Sequence, residues 1–176
     1  MIKTTIENYQ EQAGRTMATL GSKVLDGVHM ALGFTTETLE MEEGILNEDK
    51  INIQEENGDT LWYLANECTI YGLNFEDILL EAKANSLMKW TPFKLENIVD
   101  LHKRELAYGK EMDIAKLKIE LISIASYLLQ VAIFHGFTLE ECLIKNIAKL
   151  YKRYPDKFTE EKALNRDLES EYKTLK

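Results

Sequence analysis

Proline and glycine are scarce, 2 and 9 in 176 residues, against usual shares of roughly 5% and 7%. Folds that turn often, such as sandwiches and barrels of short strands, need more of both, so the shortage points to long helices. Cysteine is scarcer still. Cys68 and Cys142 lie far apart, each flanked by apolar residues, which excludes a disulfide framework or a cysteine-built zinc site and fits two buried thiols in a reducing compartment. Basic residues are outnumbered, 21 Lys and Arg against 30 Asp and Glu, for a net charge of −9. That balance argues against a nucleic-acid partner.

The opening MIKTTIENYQEQ lacks the apolar segment of a secretory signal, so a cytoplasmic protein is expected. One uncharged run, residues 121–139, approaches the length of a membrane span. Ser123, Ser126, Gln130, His135 and Gly136 interrupt it, favouring a helix buried in a bundle over a membrane partner.

What is present is apolar content of 45% with 29% charge, enough to bury the core of one domain over residues 1–176. Helix formers run through residues 5–47, 51–71, 75–90, 95–108, 113–135, 139–154 and 159 to the end. Gly72 and Gly136 read as C-terminal stops, with Asn74 and Thr138 placed to cap the next helices. Pro92 and Pro155 end two further segments. The expected fold is all-α, a helical bundle.

Sliding the chain by 64 positions lays Gly72 on Gly136, Glu56 on Glu120, Tyr63 on Tyr127, Leu64 on Leu128, Glu76 on Glu140 and Leu79 on Leu143. This register suggests a diverged duplication of a helical hairpin, with repeats at about 28–90 and 95–155 and a helical tail at 156–176.

Chemistry concentrates in the first repeat. Glu37 and Glu40 stand at i,i+3 on one predicted helix, and Glu56 and Asp59 at i,i+3 on the next, so each pair shares a helix face. The short polar connector near 47–52 makes the two helices antiparallel neighbours. Glu40 and Glu43 form an equivalent pair, and periodicity alone does not choose between them. Two unit charges about 6 Å apart at an effective dielectric near 20 repel by roughly 3 kcal/mol, so such a quartet must take up protons or cations. An all-carboxylate set without a histidine at i+3 favours Mg2+, with Mn2+ as a substitute, over iron or zinc. Acidic pairs are also the ordinary composition of a solvated helix face.

The segments HMALGFTTETLEMEEG and EENGDTLWYLA, with the tail NIAKLYKRYPDKFTEEKALNRD, resemble the MazG-like all-α nucleoside triphosphate pyrophosphohydrolases over most of residues 28–71 and 120–167. The resemblance implies a Mg2+-dependent hydrolase that splits a nucleoside triphosphate between its α and β phosphates. Carried over by position, Glu37, Glu40, Glu56 and Asp59 would be the metal ligands and catalytic residues, with Glu43 outside the set. Asn146, Lys149 and Arg153 would lie against the substrate phosphates. A relative specific for dUTP or dCTP and an inactive helical interaction module are the alternatives.

This sequence departs from the family pattern at Asn57, a polar residue on an apolar face, and at EAKANSLMKW, where Asn85 and Lys89 are weak stand-ins for an Asn and Lys motif. At the 64-residue offset Asp59 meets Ser123, Glu40 meets Arg104 and Glu37 meets Leu101. A second metal site is therefore not expected, and one site would be assembled between the halves or across a homodimer. Trp62, Tyr63 and Trp90 are candidate base contacts, His29 at the entry to the first acidic helix and Arg15 and Thr16 are candidate substrate contacts, and His102 and His135 are packing or surface residues.

Overall fold

The computed structural model describes residues 4–86 and 94–175; Lys89, Trp90 and Pro92 lie outside them. Among the described residues every regular element is helical. The helices are α1 (Ile6–Gly14), α2 (Lys23–Leu46), α3 (Lys50–Tyr71), α4 (Phe75–Ser86), α5 (Leu95–Tyr108), α6 (Ile114–His135), α7 (Leu139–Arg153), α8 (Glu160–Leu164) and α9 (Leu168–Leu175).

Local sequence sets most of these ends. Ser22 Oγ accepts from Leu25 N at 3.2 Å to open α2, and Asp49 accepts from Ile51 N and Asn52 N, both at 3.1 Å, to open α3. Gly72 and Gly136 close α3 and α6, both at φ 70°, the left-handed geometry expected of such stops. Asn74 and Thr138 cap the following helices, Thr138 through a reciprocal pair with Glu141.

Two expectations need correction. The run 5–47 is not one helix: α1 ends at Gly14 and α2 starts at Lys23, with Gly21 at φ 85° in the break. The tail is also interrupted between α8 and α9. Both breaks hold poor helix formers, Thr16, Thr19, Gly21 and Ser22 in the first and Asn165 and Asp167 in the second, so the local sequence permits the turns by which α1 and α9 pack back on the bundle.

The core is shared by all the long helices. Tyr9, Met30, Phe34, Met41, Ile53, Leu61, Leu64, Phe75, Ile78, Leu117, Leu121, Leu128, Leu143 and Ile147 are buried in one cluster. Packing pairs α2 with α3 and α5, α3 with α7, and α4 with α6, while α1 lies on α3 and α7. Helix α6 is long and apolar enough to cross a membrane by length and composition, and half of its most apolar window is buried within the bundle.

Asn57 is buried, and its amide donates to Leu128 O at 3.0 Å, so the polar intrusion fastens α3 to α6. Cys68 and Cys142 are free and buried, and burial pushes both thiols up, that of Cys142 to about 12. His102 is a packing residue, with Nε2 2.8 Å from buried Glu67.

Two glycines bring the helices close enough to form a site. A Cβ at Gly33 would stand 2.1 Å from the Tyr63 ring, and one at Gly58 would stand 3.0 Å from Cys142 O and 3.1 Å from Asn146 Cβ. The first lets α3 lay Tyr63 flat on α2. The second lets α7 approach α3 at the level of Asp59.

Candidate active site

Helices α2, α3 and α7 enclose a cavity of about 310 Å³ with Glu37, Glu40, Glu55, Glu56, Asp59 and Lys149 in its wall. On α3 the i,i+3 spacing does as the periodicity predicts, and Glu56 and Asp59 project to the same side. On α2 the backbone turns about 100° per residue, so Glu40 sits about 60° from Glu37 around the axis. Glu37 is the partly buried member and Glu40 the exposed one.

Glu37, Glu56 and Asp59 each bring a carboxylate oxygen within 4.8 Å of the others. Glu40 lines the same cavity outside that group, and Glu43 does not line it, which resolves the ambiguity between the two pairs on α2. Among the described residues no second group of His, Cys, Asp or Glu side chains converges in this way. Three hard oxygen donors in partial burial fit a hard divalent cation such as Mg2+ or Mn2+ by donor chemistry.

Without a cation the cluster holds protons. Burial, the Asp59 charge and Glu37 push the Glu56 carboxyl up to about 10, and burial with the Asp59 charge also raises Glu37.

Asp59 is the best anchored of the three. Its Oδ1 accepts from Asn146 Nδ2 at 2.6 Å and its Oδ2 from Lys149 Nζ at 2.5 Å. Asn146 is oriented by the Tyr9 hydroxyl, which donates to Asn146 Oδ1 at 2.9 Å. Lys149 is 1% exposed and also donates to Glu55 Oε1 at 2.9 Å.

Of the three residues matched to phosphate binding, Lys149 and Arg153 line the cavity, while Asn146 stands behind Asp59 and outside the lining. Arg153 grips Glu171 of α9, Nε to Oε1 at 2.8 Å and Nη2 to Oε2 at 2.5 Å. The cavity is thus bipolar, with carboxylates from α2 and α3 on one side and cations from α7 on the other.

Among the aromatic candidates, His29, Trp62 and Tyr63 line the cavity. Tyr63 meets His29 edge-on at 5.8 Å between ring centroids, and burial lowers the His29 pKa. Trp62 Nε1 donates to Thr16 Oγ1 at 2.9 Å, bringing Thr16 into the wall. Arg15 turns away: it donates to Tyr154 O at 2.8 Å and to Asp156 O, and stacks on Tyr151 at 4.0 Å. In the second repeat Arg104 pairs with Asp100 at 2.5 Å.

The sequence reading missed Tyr9, Glu55, Arg166 and Glu171. Glu55 adjoins Glu56 and was legible as part of the acidic run. Tyr9 had no local signal, because its partner Asn146 lies 137 residues away. Arg166 falls within the family-like tail and pairs with Glu171 only five residues on, and what the sequence does not give is that both meet Arg153 at the cavity.

The raised Glu56 carboxyl has a consequence for stability. Between the ordinary value of 4.5 and about 10, the folded chain keeps a proton that the unfolded chain releases. The stability linked to it is full below about 4.5 and is lost as pH rises toward the folded value, by at most about 1.4 kcal/mol per pH unit. Glu56→Gln cannot ionise and is expected to be more stable than the parent at pH 8 to 9. Urea denaturation with EDTA across pH 5 to 9 tests this; parallel pH curves for the two proteins would refute it.

No protein family matches the chain, and no curated protein or solved structure is significantly similar to it.

Proposed function

We propose that this protein is a Mg2+-dependent nucleoside triphosphate pyrophosphohydrolase, yielding a nucleoside monophosphate and pyrophosphate. The observation that carries the reading is the bipolar cavity, where Glu37, Glu56 and Asp59 converge within 4.8 Å and Lys149 and Arg153 share the same wall. A polyphosphate carries charge that needs both cations and fixed positive side chains, and phosphoryl chemistry is largely positioning and charge neutralisation. The resemblance of the carboxylate segments to the MazG-like enzymes agrees with it.

Mg2+ held by Glu37, Glu40, Glu56 and Asp59 would polarise the phosphate oxygens and lower the pKa of a bound water. The chain's own groups do the rest. Asn146 and Lys149 fix the Asp59 carboxylate from both sides. Glu37 or Glu40 takes a proton from the attacking water, whose oxygen bonds to the α phosphorus as the α–β bridging bond breaks and pyrophosphate leaves. Lys149 and Arg153 offset the charge that develops on the leaving group.

The duplicated hairpin belongs to the same reading. It is supported by α3 and α6, each 22 residues and each closed by a left-handed glycine, and by the crossed packing of α3 on α7 and α6 on α4. A homodimer is supported by Leu25, Leu32, Leu39 and Leu46, four leucines at seven-residue intervals along α2 that are 41, 61, 56 and 84% exposed.

A panel of ribo- and deoxynucleoside triphosphates with Mg2+, followed by pyrophosphate release, tests the activity. Release of pyrophosphate that EDTA abolishes is expected. Turnover confined to dUTP or dCTP would assign the narrower specificity, and no turnover of any nucleotide would refute the reading in favour of an interaction module. The particle mass in the same preparation tests the dimer, which a single-chain mass would exclude.

A further inference from the structure

The guanidinium of Arg153 is not alone at the cationic end of the cavity. Arg166, from the turn between α8 and α9, lines the same wall and donates through Nη2 to Glu171 Oε2 at 2.9 Å. Glu171 therefore holds two arginines at once, Arg153 in a two-point grip and Arg166 through a single bond. Its side chain is only 5% exposed. Glu171 does not line this cavity, so it grips the pair from behind.

The sum of this triad is one net positive charge, and its geometry leaves donors unspent. A guanidinium has five N–H groups. Arg153 commits two of them to Glu171 and Arg166 one. Both remain able to form two-point bonds with phosphate oxygens, for which the planar fork is suited. Lys149, by contrast, is already bonded to Asp59 and Glu55.

The carboxylate anchor is carried by the last helix. α9 packs on α7, Lys152 Nζ donates to Ser170 Oγ at 3.3 Å, and Lys145 Nζ donates to Leu175 O. Docking α9 thus sets the direction of both guanidiniums.

We propose that Arg153 and Arg166, aligned from behind by Glu171 of α9, form a paired guanidinium cradle that binds the pyrophosphate end of the substrate, with Arg166 a binding residue and Glu171 a positioning residue. The inference rests on the proposed polyphosphate chemistry and adds to it a C-terminal segment that completes the site.

The test uses the full chain with pyrophosphate and Mg2+ as the calorimetric probe, alongside steady-state kinetics on the best nucleotide of the panel. Arg166→Ala is expected to weaken pyrophosphate binding and raise KM by about tenfold or more, the scale of one charge-assisted hydrogen-bond pair, with kcat changed by less than about threefold. Arg166→Lys should recover only part of the affinity, because an ammonium lacks the fork. Glu171→Ala should raise KM similarly while kcat holds, and Glu171→Asp should restore much of the loss.

Pyrophosphate binding that is unchanged in Arg166→Ala would overturn the cradle even if nucleotides are hydrolysed. Tighter pyrophosphate binding in Glu171→Gln would overturn the positioning role, making Glu171 a competitor for the arginines. If no nucleotide turns over but Arg166→Ala still loses pyrophosphate, the cradle stands and the reaction assignment falls.

Discussion

Asp59→Asn is expected to lower pyrophosphohydrolase turnover by about a thousandfold or more, the scale seen when a preorganised electrostatic group at a reacting centre is removed. The reason lies in the two bonds that Asp59 accepts, one from the Asn146 amide and one from the Lys149 ammonium. Both partners are donors only at those atoms. An asparagine side chain offers one acceptor and one donor, so whichever way the amide turns, an N–H faces another N–H. The substitution removes a charge from the cluster and also dislodges its best-fixed member. Helical circular dichroism should be preserved, while turnover with Mg2+ collapses. Glu43→Gln is the matched control: Glu43 is exposed on the same acidic helix as Glu37 and lies outside the cavity, so its turnover should equal the parent's. An Asp59→Asn enzyme within tenfold of the parent would remove Asp59 from the site.

The second large effect is on stability. Lys149→Met is expected to cost about 3–5 kcal/mol at pH 7 in EDTA, because it leaves Asp59 and Glu55 without the buried cation that both face. Methionine fills much of the space, so the loss is electrostatic in origin and not a cavity. Two signs follow from that. The deficit should shrink as pH falls and the carboxylates take up protons. It should also shrink on adding Mg2+, more than the parent gains, because a more negative cluster attracts the ion more strongly. The parent's own Lys149 contribution is fully present at neutral pH, since the neighbouring carboxylates raise its folded value above the ordinary 10.5 despite burial. Denaturant midpoints at pH 5.5 and 7.5, with and without Mg2+, measure all of this. A loss below about 1 kcal/mol that pH does not change would show the pair to be idle.

These two residues also mark how far the sequence could be read. Asp59 was legible because its partner Glu56 lies one helical turn away, and a fixed spacing guarantees a common face. Lys149 could be placed only by likeness to a family's tail. Its site lies 90 residues from Asp59 along the chain, and no periodicity spans such a gap. Asn146 was singled out in the same way, and the structure puts it behind Asp59 instead of in the cavity wall. Asn57, conspicuous as a polar residue on an apolar stripe, donates one buried bond to the α6 backbone, while its Oδ1 is buried without a hydrogen-bond partner.

What the sequence determined by itself is local. It set the helices, their caps at Ser22, Asp49 and Thr138, the left-handed stops at Gly72 and Gly136, and the shared face of Glu56 and Asp59, since each follows from residues within a few positions. Tertiary packing decided which face of each helix meets which neighbour: Glu37 turned in and Glu40 out, Tyr63 laid on Gly33, Lys149 under Asp59, and α9 folded back so that Glu171 holds Arg153 and Arg166. The physical reason is that helical geometry fixes side chains relative to their own axis alone. The rotation of that axis against the others is settled by burial, close approach and charge pairing across the whole chain.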